Sequence, residues 1–247
     1  VRRTLTPDQF ALAWSRTDGD RIPYPLAVRL SAADNVQRAA QLPALHRWCD
    51  EHLDADLEAA LRVLARPALR AEVFGYALGA PIRVLGAVAG EIAVVAAQLP
   101  GSAPDRGGDI RISVGSARTF AARVITPLPR NSAGTLAALT APLARVTEDS
   151  RDLVTVPVSG PSVPARIRRL LRAPRDGIGQ IVVSVRRDAG ALAPFGVLCW
   201  IDITGDGRYA VRTGAEVEIT PVTAESFAGR LRPMLTAAGR VTPRALW

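Results

Sequence analysis

His46, Cys49 and His52 recur every third residue, with Asp50, Glu51, Asp54 and Asp56 close by, and imidazole, thiolate and carboxylate are the donors a zinc ion takes. On a helix that spacing spreads the three side chains over roughly 120°, and no HExxH or CxxC pair accompanies them. The reading that fits better is a half-buried helix carrying two surface histidines. Asp202-Ile203-Thr204-Gly205-Asp206-Gly207 starts like a calcium loop, but Thr213 stands where the bidentate Glu is required. A hairpin turn explains the same glycines. Gly177-Ile178-Gly179 lacks the third glycine of a dinucleotide site, and without lysine there is no GxxxxGK[ST] phosphate loop. Both histidines lie on one N-terminal segment and no GxSxG elbow occurs, so a nucleophile has no base in prospect. Glu148-Asp149 and Glu216 with Glu218 read as solvated carboxylates. The expectation is a non-enzymatic protein with no catalytic residue, cofactor, metal or small-molecule substrate.

Charge offers a binding chemistry instead. All 31 basic residues are arginine and the net charge is +8. Arg166, Arg168, Arg169, Arg172 and Arg175 alternate with Ile167, Leu170 and Leu171 as a basic amphipathic helix, suited to phosphates, anionic lipid or an acidic helix, or to a solvated face. Only 12 aromatic residues are present and no RNP or helix-turn-helix pattern surrounds them, which argues against a base-stacking platform. A basic nucleic-acid-binding domain stays as the second function class.

Such residues need a scaffold. At 247 residues, 48% hydrophobic and 22% charged, the chain is long enough for one large core or two small ones. Its longest apolar run, Val84 to Leu99, is interrupted by Gly86, Gly90, Glu91 and Gln98 and is too short to span a bilayer, so no membrane insertion is expected. The start, Val1-Arg2-Arg3-Thr4, does not read as a secretory leader, and the absence of an initial Met leaves processing open. Cytoplasmic residence is expected, with Cys49 and Cys199 as free thiols.

Thr6 and Pro7 cap a first helix carrying Phe10, Leu12, Ala13 and Trp14 and ending at Gly19. Ile22 to Leu30, with Pro23 and Pro25, predicts an edge strand. Ser31 is expected to cap the next helix, which Pro43 divides, and Leu57, Leu61 and Leu64 mark a third helix with an Glu58–Arg62 pair that Pro67 stops. An N-terminal helical bundle results.

Beyond it the period becomes that of antiparallel strands, and the pattern occurs twice, over about 68–128 and about 178–235. At a fixed offset Ile112 matches Ile219, Ser116 matches Thr223, Phe120 matches Phe227 and Arg123 matches Arg230. Ser116 and Thr223 are N-caps in this reading, and the two phenylalanines turn back onto the sheet. Residues 127–163, rich in proline, form the connector, with a helical stretch at Leu136 to Val146.

Leu5-Thr6-Pro7-Asp8, Pro23-Tyr24-Pro25-Leu26, Leu64-Ala65-Arg66-Pro67, Trp200-Ile201-Asp202 with Gly207-Arg208-Tyr209, and Thr220-Pro221, in this order and spacing, resemble the EspG family over about residues 4 to 236. Proteins similar to these are cytosolic chaperones of the ESX (type VII) secretion systems. The resemblance implies a single domain over 1–247 with an α+β fold, its central antiparallel sheet built from two pseudo-two-fold halves and flanked by N-terminal and C-terminal helical bundles. It also implies binding of the PPE protein of a PE–PPE heterodimer, which keeps the substrate soluble and guides it to the secretion machinery. Phe195, Val197, Arg208, Tyr209 and Arg212 of the second meander, with the Arg186-Arg187 turn at the rim, are the expected partner-binding residues. Exposed sheet edges and the connector leave a homodimer open.

Overall fold

Thr6 separates a strand from a helix. Arg2–Leu5 (β1) precedes it and Pro7–Ser15 (α1) follows, the hydroxyl of Thr6 accepting the Gln9 N–H while the Gln9 side chain accepts the Thr6 N–H. These residues belong to a computed structural model that describes residues 2–17, 21–148, 160–187 and 191–241. The next helices, Asn35–His52 (α2) and Ala55–Ala65 (α3), are capped by Asp34 and Asp54. The expected cap at Ser31 is thus displaced by three residues, because a carboxylate at Asp34 reaches the Gln37 N–H at 2.8 Å while Ser31 donates its own N–H to Asp8. Pro43 lies inside α2 without dividing it. Glu58 and Arg62 pair along α3 as expected.

The first meander comprises Leu69–Ala77 (β2), Ala80–Ala89 (β3), Ile92–Ala103 (β4) and Arg106–Ser116 (β5), and a 3₁₀ turn at Ala117–Thr119 leads into Phe120–Ile125 (α4). Leu139–Pro142 (β6), Leu143–Thr147 (α5) and Val163–Arg172 (α6) precede the second meander. That meander runs through Arg175–Arg186 (β7), Leu192–Ile203 (β8), Gly207–Thr213 (β9) and Glu216–Pro221 (β10), and closes with Ala224–Val241 (α7).

The ten strands among the described residues form one antiparallel sheet in the order β1-β5-β4-β3-β2-β7-β8-β9-β10-β6. Its centre is the β2–β7 ladder, running from Leu69 opposite Val185 to Ala77 opposite Gly177, and the order read outward from that ladder is the same on both sides. Each side has an outer strand, a helical cap, a four-strand meander and a closing helix, so the topological repeat extends beyond the two stretches read from sequence, 68–128 and 178–235.

Alternation along the strands divides the apolar residues between two faces. On one face, Val73, Val84, Ile181 and Trp200 pack beneath α4 and α7, where Phe120 and Phe227 point into a single core spanning both halves. The Ser116 hydroxyl accepts the Arg118 N–H and Thr223 accepts the Ser226 N–H, so both caps lie where the repeated pattern put them. The other face carries two separate cores. Leu85, Val94 and Ile112 pack under α1 and α3, and Ile201, Val211 and Ile219 under α5 and α6. Strand β3, covered on both sides, is accordingly buried continuously from Pro81 to Ala87 and apolar there except at Arg83.

Two expected elements differ. Ile22 to Leu30 is no strand, since Pro23 and Pro25 remove ladder donors; the edge beside β5 belongs to β1 instead. The segment is held by Gln98, whose amide both donates to and accepts from the Ala27 backbone, at 3.0 and 2.8 Å. In the connector, the predicted helix at Leu136 to Val146 is half strand: Leu139 and Ala141 turn inward, and β6 pairs with β10 before α5 begins. No helix among the described residues is long and apolar enough to cross a membrane.

Candidate partner-binding surface

Three of the expected partner residues come together. Phe195, Val197 and Arg212 line a groove of about 780 Å³ between β8–β10 and one side of α7. A register shift makes Phe195 the extra residue between Pro194, opposite Ser184, and Gly196, opposite Val183, and its side chain, like that of Met234, packs at the border of the core and lines the groove. Arg212, Glu218 and Arg230 also face this groove, so its walls are charged as well as apolar.

Arg208 and Tyr209 are elsewhere. They are 2% and 1% exposed, which corrects their placement on an accessible surface. Arg208 donates to both carboxylate oxygens of Asp202, at 2.7 and 2.8 Å, and to the Pro129 carbonyl at 3.0 Å. The Tyr209 hydroxyl donates to Asp206 and accepts the Leu136 N–H, its ring lying so close to Gly134 that a Cβ there would overlap it. The Asp206 carboxyl is held below the usual carboxylate range chiefly by the Tyr209 hydroxyl. The β8–β9 hairpin therefore binds the connector. Arg186 is half-buried and donates to the Pro67 carbonyl, whereas Arg187 is exposed beyond β7.

A different surface is the more apolar. On the face opposite α4 and α7, where β2 and β7 meet between the two helical caps, Phe74, Tyr76, Leu171 and Ile178 line an open cleft of about 370 Å³ with Arg175 at its side. Tyr76 and Ile178 are cross-strand partners, 43% and 42% exposed. Tyr24 and Tyr76 flank Phe74 with ring centroids at 5.7 and 5.4 Å. Beside them Leu78, 83% exposed, sits in the β2–β3 turn with φ +50 and donates its N–H to the Asp176 carbonyl. A leucine in the left-handed region, with its side chain in water, meets no requirement of the turn, which Asn or Gly would satisfy better. Further along the same strand face, the Glu72 carboxyl is pushed up by burial, with Arg70 opposing the shift from 3.6 Å.

This cleft escaped the sequence reading. The available signal was Phe74-Gly75-Tyr76-Ala77-Leu78-Gly79, whose alternation puts both rings on one face and whose turn holds an apolar residue.

The N-terminal histidines point apart. His46 contacts the Arg16 guanidinium at 3.0 Å, His52 stacks on Trp48, and Cys49 is buried. Burial pushes the thiols of Cys49 and Cys199 up, away from thiolate chemistry. No cluster of three potential metal ligands occurs among the described residues.

A family model described as the EspG family matches residues 6–233, from the cap of α1 to the middle of α7. The chain belongs to the EspG family. This EspG protein matches a solved structure, that of the Mycobacterium tuberculosis type VII secretion system chaperone EspG5 in complex with a PE25-PPE41 dimer. The two chains are 18% identical with a TM-score of 0.66, and the match covers 100% of this chain and 99% of EspG5, so they share the fold. No curated protein matches the sequence. The family resemblance at Trp200-Ile201-Asp202 and Gly207-Arg208-Tyr209 falls on the buried hairpin, where Asp202, Arg208 and Tyr209 hold the connector to the sheet.

Proposed function

We propose that this EspG protein is a cytosolic, non-enzymatic chaperone of a type VII secretion system that binds a PE–PPE heterodimer through its PPE subunit. The observation that carries the reading is the exposed apolar cleft at the sheet centre, in a fold whose solved relative was captured with a PE25-PPE41 dimer. An apolar tip left in water self-associates, and a rigid concave apolar surface lowers that tendency by replacing water at the tip. The cleft suits this task better than the groove beside α7, because Arg212, Glu218 and Arg230 would have to lose water there.

The experiment is co-expression with PE–PPE heterodimers of the source organism followed by size exclusion, for the native chain, Tyr76→Ser and Phe195→Ser. A stable complex is expected for the native chain and Phe195→Ser, with Tyr76→Ser eluting alone. Complex formation lost only in Phe195→Ser would move the site to the α7 groove, and no complex with any heterodimer would end the chaperone reading.

A further inference from the structure

We infer that the arginines of α6 form a second recognition element of the docking surface, one that engages an acidic stretch of the bound heterodimer next to the segment entering the cleft. This rests on the chaperone reading and adds to it the chemistry of the partner.

Within 163–175 there are five arginines and no carboxylate. Ile167 and Leu170 anchor α6 in the core beneath it, and Arg169, Arg172 and Arg175 are exposed. Among the described residues no carboxylate lies within ion-pair distance of any of the five. Among the described residues, the acids of adjoining segments are already engaged: Glu148 with Arg145, Asp176 with the Thr204 hydroxyl, and Asp202 with Arg208.

Helix stability does not call for this arrangement. Arginine in the last turn complements the helix dipole, but Arg166 lies near the start of α6, where the dipole opposes a cation and no acidic residue is present. Arg168 and Arg172 are four apart and repel each other. Two of the five guanidinium groups are also fixed in place, Arg168 donating to the Arg145 carbonyl at 2.8 Å and Arg175 to the Leu171 carbonyl at 2.5 Å. A side chain so held loses less freedom when an anion arrives.

The strip adjoins the cleft. Leu171 and Arg175 line the apolar cleft itself, while Arg168, Arg169 and Arg172 line a shallow, open recess along α6 and the Ala173-Pro174 link that follows it. Apolar and cationic lining thus run together from one concavity into the next. The apolar face of α6 is taken up by the core beneath it, leaving none to enter a bilayer, and the strip has no aromatic residue on which a base could stack. An acidic helix end or loop beside an apolar tip fits both concavities.

The test measures association and dissociation rates of a PE–PPE heterodimer that binds the native chain, at about 50 and about 300 mM salt, a range over which screening of exposed charges changes strongly. Native protein, Arg169→Glu/Arg172→Glu and Arg169→Gln/Arg172→Gln are compared, with a thermal melt as the folding control for each. Charge reversal is expected to slow association about tenfold at the lower salt and flatten its salt dependence, with dissociation within about twofold and neutralisation intermediate. An unchanged association rate and salt slope in both variants overturns the inference while leaving the cleft reading standing. Equal association, combined with loss of binding to phosphatidylserine vesicles or to a short DNA duplex, overturns it too and assigns the strip to that ligand. If no heterodimer binds the native chain, both readings fall.

Discussion

Asp202 and Arg208 face each other across the β8–β9 ladder with both charges inside the protein, joined by two contacts of 2.7 and 2.8 Å, and the same guanidinium reaches across to the Pro129 carbonyl. The pair therefore links three stretches of chain: two strands and the connector that passes over them. The other half solves the same problem with a neutral residue, Gln98, which ties Ala27 to β4. In both halves an irregular segment beside the sheet, between α1 and α2 in one and ahead of β6 in the other, is fastened to it by a buried polar side chain.

Arg208→Ala should leave the Asp202 carboxylate buried without its cation and free the Pro129 carbonyl. Removing one partner of a buried pair costs about 3–5 kcal/mol. Urea unfolding should show a loss of that order for Arg208→Ala, against a change within about 0.5 kcal/mol for the exposed Arg187→Ala. A stability equal to native would show that water replaces the guanidinium at no cost.

Asp206 gives the hairpin a pH dependence. Its carboxyl is held below the ordinary range by the Tyr209 hydroxyl and then by the Thr135 backbone. A depressed folded value means that the stabilisation is fully present above the unfolded carboxylate range, near 4, and is lost as pH falls through the folded value. The melting temperature of native protein should exceed that of Asp206→Asn at pH 6, and the difference should shrink toward pH 2. A constant difference would place the effect of the substitution outside the ionisation of Asp206.

Gly75 and Gly179 oppose each other at the central ladder, and the indole of Trp200 lies against both. A Cβ at Gly179 would come within 2.1 Å of the Trp200 ring, and one at Gly75 within 2.4 Å of the Ile178 carbonyl oxygen. Overpacking of this kind costs about 1–3 kcal/mol. Gly179→Ala should lower the unfolding free energy by that amount and shift tryptophan emission, whereas Gly214→Ala, with open space around it, should do neither.

What was legible in the sequence is what neighbouring residues determine. The two caps at Ser116 and Thr223, and the inward turn of Phe120 and Phe227, depend on a hydroxyl and a ring a few positions apart, and the doubled pattern exposed both. Strands β1 and β6 are four residues each, too short to show a period, and they are strands because β5 and β10 present unpaired edges to them. Arg208 looked like a surface cation because single residues carry no sign of burial; the sign was relational, a carboxylate six positions earlier across a Gly205 turn. The cleft brings Tyr24, Phe74, Leu171 and Ile178 together from distant stretches, so no local motif announces it, whereas the arginines of α6 were visible as one amphipathic run.

Leu78 separates fold from function. Its φ of +50 is strained for a leucine by about 1–3 kcal/mol, and no buried contact of its side chain offsets this. Leu78→Gly removes the strain and also loosens the unfolded chain, an opposing effect of about 0.5–1 kcal/mol, so the melting temperature should stay equal or rise slightly. Affinity for the heterodimer should nevertheless fall about tenfold, the effect of withdrawing a partly buried leucine from an interface. Leu78→Asn, which also tolerates the left-handed region, should weaken binding in the same way. A clear drop in melting temperature for the glycine variant would mean that Leu78 serves the turn, and equal affinity in both variants would take the rim of the cleft out of the docking surface.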